Sequence, residues 1–172
     1  MQWATVKVQT GYVATHRSLT NNLASFISRI VSFDNNTLLS QWNLTGAEDF
    51  FRDHFEGMPV LPGMMILESM VAAATWFARK ESEFRLLNFR LLELTNYKLP
   101  NSVRPPETLN IKIEMIDRKE KALQFRGKAE ASGQAVGHGT FSLISETPID
   151  RQSDEFYSNE CKTTFQCLTE AQ

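Results

Sequence analysis

The sequence predicts an α+β domain in which an antiparallel β-sheet wraps around a central buried α-helix. Three observations lead to this prediction. Residues 64–80 are almost entirely apolar or small, several strand-like segments follow them, and a hairpin-like pattern precedes them. These patterns are typical of a sheet packed on one helix. Because one sheet covers only part of a helix, we expect a second subunit to complete the cover.

Length and charge indicate one ordinary globular domain. The chain has 172 residues, of which 42% are apolar and 22% charged, and its formal net charge is -2. A domain that binds nucleic acid is expected to be strongly basic, so we predict no nucleic-acid partner. We predict a folded domain over residues 1–145 and a polar C-terminal tail over residues 146–172.

The chain is expected to act in the cytoplasm and away from membranes. Residues 1–20 lack the apolar stretch of a secretory signal, and the most apolar segment, 64–78, is too short to span a bilayer and contains Glu68. Cys161 and Cys167 have neither CxxC spacing nor an accompanying Cys/His cluster. We therefore expect free thiols of a reducing compartment rather than a disulfide or a metal site.

The segment from 26 to 44 has the composition of a β-hairpin. Residues 26–33 are rich in β-branched and aromatic side chains, and residues 37–44 resume that character. Between them Asp34, Asn35 and Asn36 favour a turn, because Asn and Asp accept positive φ angles and bond their own backbone. We predict two strands joined at these three residues.

Residues 64–80 predict a helix buried on every face, since apolar and small residues occupy all sides of it. Pro62 stands at or just before the first turn, where a missing N–H costs least. Arg79 and Lys80 stand in the last turn, where cations suit the helix dipole.

Four further segments predict strands. They cover residues 84–99, 108–116, 123–129 and 135–144, and they are separated by a break at 101–106, a charged turn at 117–121 and a Ser-Gly turn at 132–133. In the second of them apolar and polar residues alternate with period two. This alternation places Leu109, Ile111, Ile113 and Met115 on one face.

The loop before the helix carries the residues that indicate chemistry. His54 lies in a Gly- and Pro-rich loop, and Glu68 lies in the apolar helix that follows it. Burial should raise the pKa of a Glu, which could then act as a general acid, and a His can act as a base near neutral pH. Gly63 begins the helix, where a free N–H can bind a developing oxyanion. A base, an acid and an oxyanion donor suffice to dehydrate a 3-hydroxyacyl thioester.

Each of these residues also has an ordinary structural interpretation. A His in a loop is usually structural, and a Glu in an apolar helix can point to solvent or pair with an Arg. Gly and Pro at 57–63 could be plain loop chemistry. The spacing of the His, the Gly and Pro residues and the Glu along the chain is what favours the functional interpretation.

The run from His54 to Glu68 resembles the signature HF-x-G-x-P-V-x-P-G-x-x-x-x-E of the FabZ/FabA family of 3-hydroxyacyl-acyl-carrier-protein dehydratases. Eight fixed positions match without a gap: His54, Phe55, Gly57, Pro59, Val60, Pro62, Gly63 and Glu68. The resemblance extends over about residues 23–145. It implies the hot-dog fold and a homodimer, possibly assembled further into a hexamer as a trimer of dimers.

The resemblance also implies the site. His54 of one subunit would take the α proton, Glu68 of the other would protonate the leaving hydroxyl, and the Gly63 N–H would bind the thioester carbonyl. Residues expected beside the acyl group are Phe55, Val60, Pro62, Met64 and Ala72. No metal or organic cofactor is implied. The substrate would be a thioester of an acyl carrier protein or of CoA.

Three features separate the chain from the family pattern. Ala72 replaces the common Gln four residues after the acid, Asp53 replaces Gly before the base, and the usual opening motif is missing from residues 16–30. Two alternatives therefore stay open: another hot-dog enzyme, either a thioesterase or a CoA-thioester hydratase, and a catalytically weakened acyl-binding or assembly subunit.

An acidic carrier would need a local basic patch on this chain. The candidate docking residues are Arg79, Lys80, Arg85, Arg90, Lys98 and Arg104.

Overall fold

The computed structural model describes residues 6–7, 26–53, 57–119, 122–146 and 151–171. Within these ranges the helices are α1 (Phe50–Asp53), α2 (Gly63–Glu81) and α3 (Arg151–Glu170). The strands are β1 (Val6–Lys7), β2 (Arg29–Phe33), β3 (Thr37–Leu44), β4 (Phe89–Lys98), β5 (Glu107–Lys119), β6 (Ala122–Ala131) and β7 (Gln134–Ser145). They form one antiparallel sheet in the order β1-β4-β7-β6-β5-β3-β2.

Helix α2 lies on the inner face of this sheet, against β3, β5, β6 and β7. Its residues 72–79 are all buried. On β5 the side chains of Leu109, Ile111 and Ile113 are at most 1% exposed and face the helix. The predicted arrangement, an antiparallel sheet wrapped around a central helix, is confirmed.

The predicted hairpin forms between β2 and β3. The Asp34 carboxylate accepts hydrogen bonds from the N–H groups of Asn36 (3.0 Å) and Thr37 (2.8 Å), and the Asp34 N–H donates to the Thr37 carbonyl (2.9 Å). This local bonding is the property for which Asp and Asn are favoured in turns. It fixes the register in which Arg29 faces Gln41.

Strand β4 begins at Phe89, five residues later than the sequence predicts, because the residues after α2 form the turn that ends this helix. Glu83 and Phe84 adopt left-handed φ angles of 56° and 60°. The Phe84 N–H then donates to the carbonyl of Arg79 over 2.7 Å. Left-handed residues commonly end helices in this way, by satisfying the last carbonyls.

Two glycines on the inner face of the sheet let the first half of α2 approach closely. A Cβ built on Gly127 would stand 2.6 Å from the Met70 sulfur, and one built on Gly137 would stand 2.7 Å from Ile66. Both distances are shorter than real Cβ contacts allow. The helix therefore fills space that side chains of β6 and β7 would otherwise occupy.

Residues 151–170, which the sequence predicts as part of a polar tail, form helix α3. Cys161, Phe165 and Leu168 are buried, and they belong to the same hydrophobic core as α2. Their spacing of i, i+4 and i+7 places them on one side of a helix. The Phe165 ring lies 5.8 Å from that of Phe84 and 6.3 Å from that of Trp76.

None of the described helices combines the length and the apolar character needed to cross a bilayer. The described ranges also hold no cluster of three or more His, Cys, Asp or Glu side chains that could bind a metal ion.

Candidate active site

The candidate site lies where the loop after α1 enters α2. Residues 54–56, and with them the predicted base His54 and the predicted substrate contact Phe55, lie outside the described residues. The loop resumes at Gly57, whose φ of +76° favours glycine. It is anchored at Leu61, which is buried and whose N–H donates to the Val103 carbonyl over 2.8 Å.

Helix α2 begins at Gly63 without a side-chain cap. Pro62 occupies the N-cap position and has no hydroxyl or carboxylate to offer, although its carbonyl accepts the Met65 N–H over 2.9 Å. The first N–H groups of a helix have no partner within the helix. In the described part of the chain the Gly63 N–H has no hydrogen-bond partner, which leaves it available to an oxyanion; its role in binding one stays a prediction.

Two side chains near the end of β4 hold Gly63 in place. The Tyr97 hydroxyl donates to the Gly63 carbonyl over 2.6 Å. The Leu99 side chain lies so close to the Gly63 Cα that any Cβ at position 63 would overlap it. Close packing against Leu99 favours glycine at this position, which the sequence pattern alone does not reveal.

Glu68 lies one and a half turns into α2, on the part of the helix that the single chain leaves open. It is exposed, as is Met64 at 59%, and Val71 next along this side is half-buried. The prediction that α2 is buried on every face is therefore wrong for its first half. The reason is that the sheet covers the other sides of α2 there and leaves this one open.

The environment of Glu68 still favours its protonated form. The protein atoms packed around the carboxyl reduce its hydration, and this desolvation raises its pKa above the usual 4.5. Within the described residues the carboxylate has neither a hydrogen bond nor an ion pair. Ala72, four residues on, is fully buried and offers no polar group.

The start of α2 and the loop before it expose apolar side chains. Met58 and Leu99 are 47% and 46% exposed, close to the start of α2 where Met64 also lies open. Val60 and Pro62, two of the predicted substrate contacts, are half-buried in the same loop. Exposed apolar side chains at the start of α2 suit a site that excludes water once this surface is covered.

The structure removes one residue from the predicted docking patch. Arg79 is 1% exposed and donates from Nε to the Leu87 carbonyl over 2.9 Å, so it cannot meet a partner. The other five candidates are exposed: Lys80, Arg85, Arg90, Lys98 and Arg104. Arg104 contacts the loop before α2, with Nη2 3.2 Å from the Met58 sulfur.

The sequence is similar to proteins of one family over most of its length. Residues 31–140 match the family model described as ApeI-like, ApeI dehydratase. A 3-hydroxyacyl-[acyl-carrier-protein] dehydratase FabZ of Granulibacter bethesdensis is 31% identical over 117 residues, which cover 66% of this chain and 68% of that protein. A FabZ of an Anaeromyxobacter species is 30% identical over 124 residues, covering 69% and 78%.

A solved structure has the same fold. The dehydratase heterocomplex ApeI:P from Xenorhabdus doucetiae superimposes with a TM-score of 0.60 and covers 78% of this chain and 89% of that chain, at 15% identity. At this identity the similarity concerns the hot-dog architecture alone. The family match, by contrast, spans the whole stretch from Gly57 to Glu68.

Proposed function

The chain belongs to the ApeI-like dehydratase family, and we propose that its Glu68, Gly63 and His54 carry out the family's reaction at an interface between two copies of the chain. The enzyme is a hydro-lyase that converts a 3-hydroxyacyl thioester to the 2-enoyl thioester, a step of fatty-acid or polyketide synthesis. The observation that carries the assignment of roles is Glu68, an acid with a raised pKa that lies one and a half turns after the uncapped start of α2 at Gly63.

The proposed reaction uses three groups. His54 removes the proton α to the thioester carbonyl, and the electron pair of that C–H bond forms the new double bond. The C–O bond at the β carbon breaks, and Glu68 protonates the departing hydroxyl, which leaves as water. The Gly63 N–H stabilises the negative charge that collects on the carbonyl oxygen.

We propose a homodimer because the open side of α2 needs a cover. Met64, one turn before Glu68 on the same side of α2, is 59% exposed in the single chain, and Met58 and Leu99 are exposed near the start of this helix. A second copy placed on this surface would exclude water from the acid and bring its own His54 to it. Covering Glu68 in this way would desolvate the carboxyl further, which favours the proton that a general acid needs.

Single substitutions test the roles of the two groups. His54→Ala and Glu68→Gln should each abolish formation of the enoyl product from a 3-hydroxyacyl thioester, measured by absorbance of the conjugated thioester. Retained activity in Glu68→Gln would contradict the proposed acid. Release of a free acid with its hydroxyl intact would instead identify a thioesterase.

Mixing these two inactive variants tests the shared site. If each site takes His54 from one copy and Glu68 from the other, a mixed dimer contains one site with both groups intact. Equal mixing with subunit exchange should then restore about a quarter of the wild-type activity. A site built within one chain predicts no recovery, because every site in the mixture would lack one group.

We propose an acyl carrier protein as the donor of the acyl group, with Arg104 as part of its docking surface. Arg104 is exposed and touches Met58 at the site. Arg104→Glu should raise KM for a carrier-bound substrate and leave KM for a short pantetheine thioester unchanged. The matched control is Arg85→Glu, an exposed arginine beyond the opposite end of α2. Equal effects of both substitutions, or none, would count against Arg104.

A further inference from the structure

We infer that Tyr97 is a positioning residue, which holds the first turn of α2 so that the Gly63 N–H and the Glu68 carboxyl keep their relative places. This inference rests on the proposed function, in which both groups act on one thioester. Tyr97 itself does not act on the substrate in this scheme. Its hydroxyl donates to the Gly63 carbonyl over 2.6 Å.

The contact spans the part of the helix that matters for the reaction. In an α-helix the carbonyl of Gly63 accepts the N–H of Leu67, the residue before Glu68. The Leu67 N–H also faces the Tyr97 hydroxyl oxygen. The Tyr97 hydroxyl therefore faces both the Gly63 carbonyl and the Leu67 N–H. These two groups are one turn apart, and Glu68 directly follows Leu67.

The bond does not depend on pH over the working range of an enzyme. Burial raises the pKa of Tyr97 to about 12, so the hydroxyl keeps its proton and remains a donor. A half-buried hydroxyl bonded to a carbonyl is costly to separate, because both groups would lose their partner.

The sheet is built to bring Tyr97 to this position. Gly139 faces it on β7, and a Cβ there would stand 3.2 Å from the Tyr97 Cα. Two residues on, Leu99 packs against Gly63, while Gly137 leaves room for Ile66 of the helix. Glycines on β7, together with Tyr97 on β4 and Leu99 just after it, thus hold the start of α2, and Tyr97 supplies the hydrogen bond.

The helix start has few other restraints in the described part of the chain. Pro62 provides no side-chain cap, and the loop before it is tied at Leu61 to Val103. Catalytic groups lose rate steeply when displaced, and a misplacement of about 1 Å can cost a factor of about 100. Loss of the Tyr97 hydrogen bond should therefore slow the chemical step.

Tyr97→Phe is the test, because it removes one oxygen and keeps the ring. We expect kcat for dehydration to fall about tenfold while KM changes less than twofold, since Tyr97 touches the helix backbone and not the acyl group. The matched control is Thr95→Val. Thr95 lies on the same strand and its hydroxyl donates to the Thr140 carbonyl over 3.2 Å, away from α2. It should leave kcat within twofold of wild type.

Amide hydrogen exchange gives a second measurement, which needs no turnover. In Tyr97→Phe the amides of Leu67 and Glu68, the first that bond to carbonyls of α2, should exchange faster than in wild type, while those of residues 72–79 keep their rates. Thr95→Val should change neither group. Faster exchange throughout α2 would indicate general destabilisation and overturn the positioning role.

The outcomes separate this inference from the proposed function. If Glu68→Gln is inactive but Tyr97→Phe behaves as Thr95→Val in both measurements, the function stands and the inference fails. If the wild-type protein does not dehydrate the substrate, the proposed function fails, and a role for Tyr97 in catalysis fails with it. The exchange data then decide only whether the hydroxyl restrains the helix.

Discussion

The guanidinium carbon of Arg79 lies 4.8 Å from the ring centroid of Trp76, and both side chains are buried near the end of α2. Burial lowers the pKa of Arg79, and the nearby thiol of Cys161 acts in the opposite direction. Arg79 bonds the Leu87 carbonyl through Nε, whereas its Nη1 is buried without a hydrogen bond. This arginine thus joins α2 to the segment that leads into β4.

Arg79→Ala should lower the free energy of unfolding by about 2 to 4 kcal/mol, because it removes packing and leaves a buried carbonyl without its donor. Arg79→Lys should also destabilise, since an ammonium cannot stack its charge as a planar guanidinium does. Urea denaturation measures both. Arg90→Ala is the control: Arg90 pairs with Glu146 at the surface, and exposed pairs contribute about 0 to 1 kcal/mol. Equal stability losses at the two positions would contradict the structural role.

The raised pKa of Glu68 predicts a pH-dependent effect of its replacement on stability. The folded protein binds the Glu68 proton more tightly than the unfolded chain does, so ionisation of this carboxyl opposes folding once the pH exceeds 4.5, the usual pKa. Glu68→Gln should therefore raise the Tm relative to wild type at neutral pH. The gain should vanish below the usual pKa, where both forms of the chain carry the proton.

Differential scanning fluorimetry across pH 4 to 8 measures this effect, at one protein concentration throughout. Glu155→Gln controls for the loss of one surface charge, because Glu155 is exposed on α3. A Tm gain that is the same at every pH would show that charge removal in general, and not the desolvated carboxyl, is responsible.

The contact between Gly63 and Leu99 predicts coupling between two substitutions. Gly63→Ala should destabilise by about 1 to 3 kcal/mol, because the new methyl group would overlap the Leu99 side chain. Leu99→Ala alone should cost little, as Leu99 is 46% exposed. The double variant should recover most of the loss, since the shorter side chain leaves room for the methyl group. Additive costs in the double-mutant cycle would contradict the predicted overlap.

The two thiols should react at very different rates with a water-soluble disulfide reagent. Cys167 is exposed, whereas Cys161 is 1% exposed. Burial raises the pKa of Cys161, an effect that Arg79 opposes and Glu160 reinforces, so both access and ionisation slow its reaction. One thiol should be titrated quickly in native protein and both after denaturation. Two fast thiols in the native protein would mean that α3 does not stay packed.

Local sequence patterns predict much of the sheet, because apolar and polar residues alternate along its strands. Leu109, Ile111 and Ile113 fall on the core face as the period-two pattern predicts, and residues 37–44 form β3 with the predicted limits. The sequence also predicts α2 to within one residue at each end, since its apolar composition and the flanking Pro62 are local signals.

The parts that escaped prediction depend on contacts between distant segments. The bond from Tyr97 to Gly63 joins residues 34 positions apart, and no periodicity in either segment signals it. Helix α3 did carry a signal in the spacing of Cys161, Phe165 and Leu168, but the many polar residues between them obscured it. The division into a domain of 145 residues and a tail stays a prediction, although α3 shares the core with α2.

Gly63 and Glu68 lie on consecutive turns of α2, as their spacing requires, and their local environments suit the roles proposed for them. His54 and Phe55 lie outside the described residues, so their part in the site stays a prediction.

Gly127 and Gly137 have no side chain where α2 packs on the sheet, so substitutions in the sheet and in the helix should depend on each other. Met70 and Ile66 occupy the volume that side chains at those two positions would take. A larger residue at Gly127 or Gly137 therefore has to displace Met70 or Ile66, and a smaller residue on α2 would make room for it directly. In related sequences these positions should vary in pairs, with the summed volume kept nearly constant, because close-packed interiors tolerate exchange of volume far better than its addition.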